Sequence, residues 1–336
     1  MRYPPRMSVV IPVYNAEEWL SDALDSVLST PPGCLVEVIC VDDGSTDSSG
    51  DILKQYAPEH PSMTVISQPN SGHAAARNAG LRASTGDYVW FVDSDDYIDT
   101  GCIEHAVRLM DDHGLDILAV ALIHVEPHIN YHTTQPITTD VIQRKTPDSS
   151  ACSGARVFRR SLLTENAIIW REDLSPNDDF VFIFESMFHA CNIGYNSSIR
   201  YYQRVRPDSV SNDTSQTALN RRVESFLRMA KIYQDYIPQT RSNAELRNVQ
   251  ARIGLSIQTI LLDLARITDP QRKTEVLEVL RDERLYPYPL VAYNLKPKLS
   301  VKRTLMDWSM FLFPIHPYYE AYYALFRRLF ARRLPT

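Results

Sequence analysis

Two kinds of hydrophobic pattern follow one another along the chain. Up to about residue 125, short apolar runs alternate with amphipathic stretches, which is typical of strands and helices that succeed one another in an α/β sheet. The apolar runs predict strands at 7–13, 36–41, 63–67, 88–92 and 116–122, and the stretches between them predict helices at 16–29, 48–56, 73–83 and 101–113. We therefore expect an α/β fold with a doubly wound, mostly parallel sheet flanked by helices.

Beyond residue 125 the pattern is irregular at first and then helical. Residues 126–150 are rich in Thr, Pro, His and Gln without a clear period, which predicts a surface loop. The next segment predicts helices at 152–165 and 179–190 and a strand at 198–204. From 215 to 283 apolar residues recur at helical spacing, so we expect a helical C-terminal extension.

These patterns predict three regions, which are 1–212, 213–290 and 291–336. The last is a tail with many aromatic residues, and it carries eight Lys or Arg against two acidic residues although the whole chain has a net charge of −6. Basic, aromatic amphipathic helices lie on anionic membrane surfaces. The alternative is a helical cap that packs on the protein or on a second subunit, as in a homodimer, and the sequence leaves both open.

Composition indicates a globular protein of the cytoplasm. The chain has 336 residues, of which 44% are hydrophobic, enough for a substantial core. Its five cysteines are scattered without metal-binding spacing, which is typical of free thiols in a reducing compartment. No apolar run is long enough for a spanning helix, and the N-terminus leads directly into a strand without a signal peptide. We expect a cytoplasmic protein, peripheral on the inner face of the cell membrane if the tail binds lipid.

The most informative polar cluster follows the apolar run at 88–92. Asp93, Ser94, Asp95 and Asp96 stand where that strand ends, and ligands bind beyond the carboxyl ends of strands in open α/β sheets. Carboxylates this close repel one another, so a hard divalent cation is a natural partner. The alternatives are a solvated turn or a helix N-cap. A calcium loop of the EF-hand type is excluded, because its obligatory glycine position is Ile98.

Two further polar clusters follow the first and second predicted strands. Tyr14 and Asn15 come after the first, and Asp42, Asp43 and Gly44 come after the second. Because the carboxyl ends of parallel strands share one edge, we expect these clusters to meet the acidic residues in one crevice.

Four segments in this order carry a resemblance to a known family. They are 10–15 (VIPVYN), 41–47 (VDDGSTD), 76–80 (ARNAG) and 91–96 (FVDSDD). Together they resemble family 2 glycosyltransferases of the GT-A fold, such as those that build bacterial capsules and exopolysaccharides. The resemblance is strong over 7–125, weaker over 152–210 and absent beyond. It implies that residues 1–212 form a nucleotide-sugar-binding and catalytic domain.

The resemblance implies a donor site at the sheet edge. The residues expected to bind the nucleotide-sugar are Pro12, Tyr14, Asn15, Asp43, Arg77, Asp93, Ser94, Asp96 and Arg206. Within this set, Asp43 would approach a uracil ring, Arg77 would face the diphosphate, and Arg206 would close over it. Asp96 would face the donor sugar or the acceptor.

The resemblance also implies a metal and a catalytic base. Asp95 would bind Mn²⁺ or Mg²⁺, and Asp93 would share the metal or hold the ribose. Asp179 is the expected base, next to Asp178, which stands where the family usually has Glu. The pair Glu172 and Asp173 is a rival, and N-caps of the helix near 179 are the structural alternative.

The function that follows is inverting, metal-dependent transfer of a sugar from a nucleotide donor, with a UDP-sugar preferred. The acceptor would be a hydroxyl of a glycan or lipid-linked glycan in cell-surface polysaccharide synthesis. A sugar-nucleotide pyrophosphorylase is disfavoured, because the first strand is not followed by a glycine-rich phosphate loop. A catalytically silent nucleotide-binding or membrane scaffold is the second alternative. The donor sugar, the acceptor, the linkage and the oligomeric state are left open by the sequence.

Overall fold

The computed structural model describes residues 6–29, 36–126, 152–174, 177–205, 213–283 and 285. The chain forms two compact units, residues 1–212 and 213–336. The predicted loop at 126–150 lies almost wholly outside the described residues, and so do Arg206, the prolines near 290 and the basic tail.

The first unit is built on a sheet of eight strands among the described residues. In chain order they are β1 Met7–Val13, β2 Val36–Asp42, β3 Met63–Ser67, β4 Tyr88–Phe91, β5 Tyr97–Ile98, β6 Ile117–Val125, β7 Arg156–Arg159 and β8 Ile193–Arg204. Their order across the sheet is β3-β2-β1-β4-β7-β6-β8-β5. The pairings make β5 and β7 antiparallel to the other six.

Helices cover this sheet at places close to those predicted. They are α1 Leu20–Leu28, α2 Ser49–Tyr56, α3 His73–Ala83, α4 Cys102–Asp112, α5 Arg160–Glu165 and α6 Asp178–His189. Strands β1, β4 and β6 have long buried runs, as expected where helices cover both faces of a sheet. The predicted fold class, a mostly parallel α/β sheet with flanking helices, is confirmed.

The helix predicted over 152–165 is wrong in its first half. Residues 156–159 form the antiparallel strand β7, which pairs with β4 on one side and β6 on the other. Val157 and Phe158 are both fully buried, because β7 fills the middle of the sheet and both its faces are covered. Only Arg160–Glu165 is α-helical, and Ser153–Ala155 forms a short 3₁₀ turn before the strand. Pairing with β4 and β6 therefore outweighed the local helical pattern of residues 156–159.

Helix α3 lies very close to the sheet because its residues are small. A Cβ atom on Gly80 would lie 2.2 Å from Cγ1 of Val10 in β1, which is far inside van der Waals contact. Ala74 and Ala76 are buried on the same helix. Arg77 lies between Ala76 and Gly80 on this helix. The close approach of α3 to the sheet therefore places Arg77 at the carboxyl edge of the strands.

The described part of the second unit is helical, as expected for the C-terminal extension. It contains α7 Gln216–Tyr236, α8 Asn243–Leu264 and α9 Pro270–Asp282. Each helix begins with a side-chain cap, provided in turn by Ser215, Ser242 and Asp269, which satisfies amide groups that the helix itself leaves free. Within the described residues, no helix is long and apolar enough to cross a membrane.

Candidate active site

The first two polar clusters meet at the carboxyl edge of the sheet. Val13 at the end of β1 pairs with Asp42 at the end of β2. Asn15 takes a positive φ of 48°, a conformation that asparagine tolerates better than most residues. Its Oδ1 accepts a hydrogen bond of 2.8 Å from the Thr46 amide, which ties the two turns together. The Tyr14 ring is 49% exposed, whereas Pro12 is buried within β1.

Asp43 holds the segment that leads into α3. Its Oδ1 accepts hydrogen bonds from the side chain of Gln68 and the amide of Ser71, at 2.7 and 2.9 Å. Its Oδ2 accepts one of 2.8 Å from the amide of Gly72, the residue that precedes the helix. The carboxylate is therefore used to fix the start of α3. A contact between Asp43 and a nucleobase stays a prediction.

The acidic residues form a turn between β4 and β5, and one of them is turned into the protein. Asp96 is 2% exposed. Its Oδ2 accepts a hydrogen bond of 2.7 Å from the Tyr201 hydroxyl, and its Oδ1 accepts one of 2.9 Å from the Arg204 amide. The same hydroxyl accepts a hydrogen bond of 3.2 Å from the Asp93 amide. Tyr201 and Arg204 of strand β8 thus hold the turn in place.

Burial shifts the pKa of Asp96. Loss of solvent raises the pKa of this carboxyl well above its usual range, and the nearby Asp95 and Asp93 raise it further. These surroundings favour the neutral form of Asp96 compared with an exposed aspartate. Asp95 and Asp93 are only partly buried, so these two are the members of the turn that can offer charged oxygens to a ligand, while Ser94 is buried between them.

Arg204, at the end of β8, is a structural part of the turn. Its guanidinium lies between the rings of Trp19 and Tyr97, with its carbon 4.9 Å from each ring centre. It also donates to the Asp95 carbonyl at 2.9 Å and to the Asp22 carboxylate at 2.6 Å. The predicted site residue Arg206 lies outside the described residues.

Arg77 joins the acidic turn to the start of α6. Its Nη2 donates to Oδ1 of Asp93 at 2.6 Å, and its Nη1 donates to Oδ2 of Asp178 at 3.3 Å. The guanidinium carbon lies 4.4 Å from the Trp170 ring centre, and the residue is only 5% exposed. A direct contact of Arg77 with a diphosphate stays a prediction, since in this structure its two terminal nitrogens face carboxylates.

Asp178 is a fully buried carboxylate with two donors. His73 lies with its Nε2 2.7 Å from Oδ1 of Asp178, and Arg77 reaches Oδ2. Burial raises the pKa of Asp178, but the hydrogen bond with His73 and the charge of Arg77 outweigh burial and hold the pKa below its usual value. Asp178 is therefore ionised and acts as an acceptor for both partners.

Asp179 has the properties expected of a general base. It is half-buried, and its Oδ1 has no hydrogen-bond partner among the described residues. Burial raises the pKa of Asp179 to about 6, Asp178 and Asp93 add to that rise, and Arg77 and a hydrogen bond with Ser153 oppose it. A carboxyl with a pKa near 6 is mostly ionised at neutral pH and still accepts a proton readily.

Glu172 and Asp173, the rival pair for the catalytic base, lie in a short 3₁₀ turn and not on α6. Glu172 is exposed and lies in the short 3₁₀ turn Glu172–Leu174, where it accepts a hydrogen bond of 3.0 Å from Asn78. Asn78 also bonds both backbone groups of Trp170. Glu172 therefore helps to position the Trp170 ring that the Arg77 guanidinium contacts.

Three residues that the sequence analysis did not select complete the site. His73 is a lone histidine, which by itself is more often structural than functional, although its spacing of four from Arg77 places both on one face of α3. Tyr201 and Trp170 give no chemical signal in the sequence, because only the fold brings them to the carboxylates.

No group of three His, Cys, Asp or Glu residues that could hold a metal ion by itself exists among the described residues. The partly exposed Asp93 and Asp95 are two hard oxygen ligands. A Mg²⁺ or Mn²⁺ ion bound through one or two carboxylates together with substrate phosphates needs no larger protein cage. The donor set therefore fits such an ion when it arrives with a nucleotide.

Comparison with curated proteins shows two similar relatives of known name. The chain is 33% identical over 210 residues to poly(ribitol-phosphate) beta-glucosyltransferase of Bacillus spizizenii, a match that covers 60% of this chain and 33% of that protein. It is 29% identical over 207 residues to poly(ribitol-phosphate) beta-N-acetylglucosaminyltransferase TarS of Staphylococcus aureus, which covers 60% and 36%. The chain thus spans about a third of the length of these relatives.

Two solved structures have a similar fold. TarS 1–349 of S. aureus in complex with UDP-GlcNAc has a TM-score of 0.56 at 20% identity, covering 90% of this chain and 91% of that one. Mannosyltransferase PcManGT from Pyrobaculum calidifontis, in complex with GDP-Man and Mn²⁺, has a TM-score of 0.54 at 17% identity, covering 98% and 89%. Residues 8–166 match the family described as glycosyl transferase family 2. These residues, just under half of the chain, carry the similarity to glycosyl transferase family 2, and the fold is of the GT-A type.

Proposed function

We propose that this protein is an inverting, metal-dependent glycosyltransferase. It would move a sugar from a nucleotide donor to a hydroxyl group of a glycan or lipid-linked glycan in cell-surface polysaccharide synthesis. The observation that carries the proposal is the Asp179 carboxyl, which has a pKa of about 6 and an unpartnered oxygen. Arg77 links this part of the site to the acidic turn. A base and a charge-binding turn are the two parts that glycosyl transfer requires.

The proton of the acceptor hydroxyl goes to the Asp179 carboxylate in this proposal. The acceptor oxygen then attacks the anomeric carbon from the face opposite the diphosphate, whose bond to the sugar breaks. Asp178 and Arg77 keep their charges throughout, and Arg77 limits how far the pKa of Asp179 rises. The silent-scaffold alternative is disfavoured, because a protein without chemistry needs no carboxyl tuned in this way.

Asp95 and Asp93 would hold the divalent ion. Mn²⁺ or Mg²⁺, when bound there, would offset the negative charge that develops on the leaving diphosphate. The β8 contacts through Tyr201 and Arg204 keep the backbone of this turn in place before any ligand arrives.

A UDP-sugar is the proposed donor. TarS, which is similar in sequence and fold, has been solved with UDP and with UDP-GlcNAc. The structure of PcManGT with GDP-Man shows that a similar fold accepts another base, so donor tests must include GDP-sugars. The names of two relatives indicate poly(ribitol-phosphate) as acceptor, and a polyol-phosphate polymer offers the hydroxyls that this mechanism needs.

The tail supports a location on the inner face of the cell membrane. Its excess of Lys and Arg and its many aromatic residues favour binding to anionic lipid, and a lipid-linked acceptor would be met on that surface. Flotation with vesicles containing anionic lipid tests this idea. The full chain should float and a chain lacking 300–336 should not, and equal behaviour of the two would reject the idea.

A transfer assay tests the enzyme proposal. UDP-, GDP- and dTDP-sugars are offered with Mn²⁺, with Mg²⁺ and with EDTA, and release of free nucleoside diphosphate is measured with and without candidate acceptors. We expect turnover with a UDP-sugar and a divalent ion, and none with EDTA. Nucleotide binding without any turnover across the panel would rule out the enzyme and favour the scaffold alternative.

A further inference from the structure

His73 and Arg77 form one charged face at the start of α3. They are four residues apart, so their side chains project from the same side of the helix. Both reach the first residue of α6, Asp178, whose two carboxylate oxygens are divided between them: His73 faces Oδ1 at 2.7 Å and Arg77 faces Oδ2 at 3.3 Å. Because an ionised carboxylate can only accept, His73 donates from Nε2.

Arg77 is shared unequally between two carboxylates. Its Nη2 contact with Asp93 is short, at 2.6 Å, whereas its Nη1 contact with Asp178 is long, at 3.3 Å. Asp178 has no exposed surface, so it depends on partners rather than water for its charge. One weak contact with a shared arginine is poor compensation for a fully buried carboxylate. The second donor, His73, makes the sharing possible.

We propose that His73 is a positioning residue, which satisfies Asp178 and thereby allows Arg77 to remain between Asp93 on the donor side and Asp178 on the base side of the site. Without His73, Oδ1 of Asp178 would be a buried oxygen that has lost its side-chain donor among the described residues. The arginine would then be drawn toward Asp178 and away from Asp93, and the charge beside Asp179 would move with it. The catalytic consequence rests on the proposed glycosyltransferase function.

Because the His73 side chain is partly exposed, an effect of its hydrogen bond can be distinguished from an effect of core packing. Its side chain is 40% exposed, whereas Arg77 and Asp178 are buried. A ring that is largely outside the core contributes little apolar burial, so its replacement should act through the lost hydrogen bond. Glutamine can place an amide donor near the position of Nε2, and it provides the conservative substitution.

The experiment compares four variants of the full chain with the wild type. They are His73→Ala, His73→Gln, Asp178→Asn and the double variant H73A/D178N, with His113→Ala as a matched control because His113 is an exposed histidine that follows α4. Steady-state transfer gives kcat and the donor KM, and urea unfolding gives the coupling between His73 and Asp178 independently of activity.

We expect His73→Ala to lower kcat by about tenfold, because displaced charges misplace the reacting groups. The donor KM should change by less than about twofold, and His73→Gln should recover most of the lost activity. In the Asp178→Asn background, where residue 178 carries no charge, the same loss should nearly vanish. His113→Ala should match the wild type.

Two outcomes would overturn the proposal. The first is a His73→Ala variant whose kcat and unfolding midpoint both match those of the His113→Ala control. The second is a His73→Gln variant that is as impaired as His73→Ala. If the wild type shows no transfer with any donor, the proposed function fails, and the urea cycle still decides whether His73 and Asp178 are coupled. If Asp178→Asn does not fold, the comparison of alanine with glutamine at position 73 decides alone.

Discussion

Two carboxyl groups of this site, Asp96 and Asp178, are buried to a similar extent, but their pKa values are shifted in opposite directions. Their exposed fractions are 2% and 0%. The partners of Asp96 are a hydroxyl and a backbone amide, with two acidic neighbours, and its pKa is raised well above the usual range. Asp178 faces His73 and Arg77, and its pKa is lowered despite burial.

The difference shows that the partners of a buried carboxyl, rather than its depth, set its charge. Because its pKa is raised, Asp96 can anchor the acidic turn with less repulsion toward Asp93 and Asp95 than an exposed carboxylate would add. An ionised Asp178 can hold Arg77 beside Asp179. In each cluster a buried carboxyl supports a partly exposed neighbour, which is Asp95 in the turn and Asp179 on α6.

The largest effect is expected at Asp179. Asp179→Asn should lower kcat by about 10²- to 10⁴-fold, the range for removal of a general base, with folding preserved. In the wild type, kcat/KM should fall as pH drops below about 6, because protonation at the pKa of Asp179 removes the base. Glu172→Gln is the matched control and should leave that pH profile unchanged. An active Asp179→Asn variant would assign the base elsewhere.

A smaller loss is expected from the acidic turn. Asp95→Asn should lower transfer by about a hundredfold and weaken the response to Mn²⁺, because a charged metal ligand is lost. Calorimetry of UDP binding with and without Mn²⁺ checks this, and Asp112→Asn, at the exposed end of α4, serves as control. If Mn²⁺ strengthened UDP binding to the variant as much as to the wild type, Asp95 would not be a ligand.

Asp178→Asn should destabilise the fold by about 3 kcal/mol near pH 7, since it leaves the buried Arg77 without one of its charged partners. A lowered pKa means that the carboxylate stabilises the protein above the unfolded value of about 4, and that this contribution is lost as the pH falls through the folded pKa. Urea unfolding should therefore show the variant and the wild type converging in acid. A constant difference would contradict this account.

At about pH 4, where the carboxyl is still largely protonated, Asp96→Asn should have the smallest effect, less than about 1 kcal/mol, since a protonated carboxyl and an amide are similar in shape and charge. The raised pKa of Asp96 gives the opposite sign: the wild type loses stability relative to the variant as pH rises above about 4. Urea unfolding at pH 5 and 8 in metal-free buffer measures this. If the free energy of unfolding, relative to the wild type, changed with pH in the same way for Asp96→Asn and Asp178→Asn, the two carboxyls would not differ as we expect.

Much of the α/β unit could be predicted from its hydrophobic pattern. The strand predicted at 63–67 and the helix predicted at 73–83 have the observed ends, because short apolar runs and small-residue helices have clear periods. Strand β7 could not be predicted in this way. Its four residues are too few for a period, and their conformation depends on the vacant position between β4 and β6.

The candidate site also has a part that the sequence predicts and a part that only the structure shows. The sequence predicts the candidates Asp93 and Asp178 by residue type and order, and the structure joins these two through Arg77. The turn of Asp96 toward Tyr201 could not be anticipated, because these residues are 105 positions apart.

The sequence by itself determined the resemblance to a family, most of the strands and helices of the α/β unit, and the acids that carry the candidate chemistry, because all of these are encoded in residue type and local spacing. Only the tertiary structure decided the charge of each acid. A pKa depends on the solvent that burial removes and on the hydrogen-bond donors and charges that distant segments bring near, as the Tyr201 hydroxyl does for Asp96 and α3 does for Asp178. Neither quantity has a local signature in the chain.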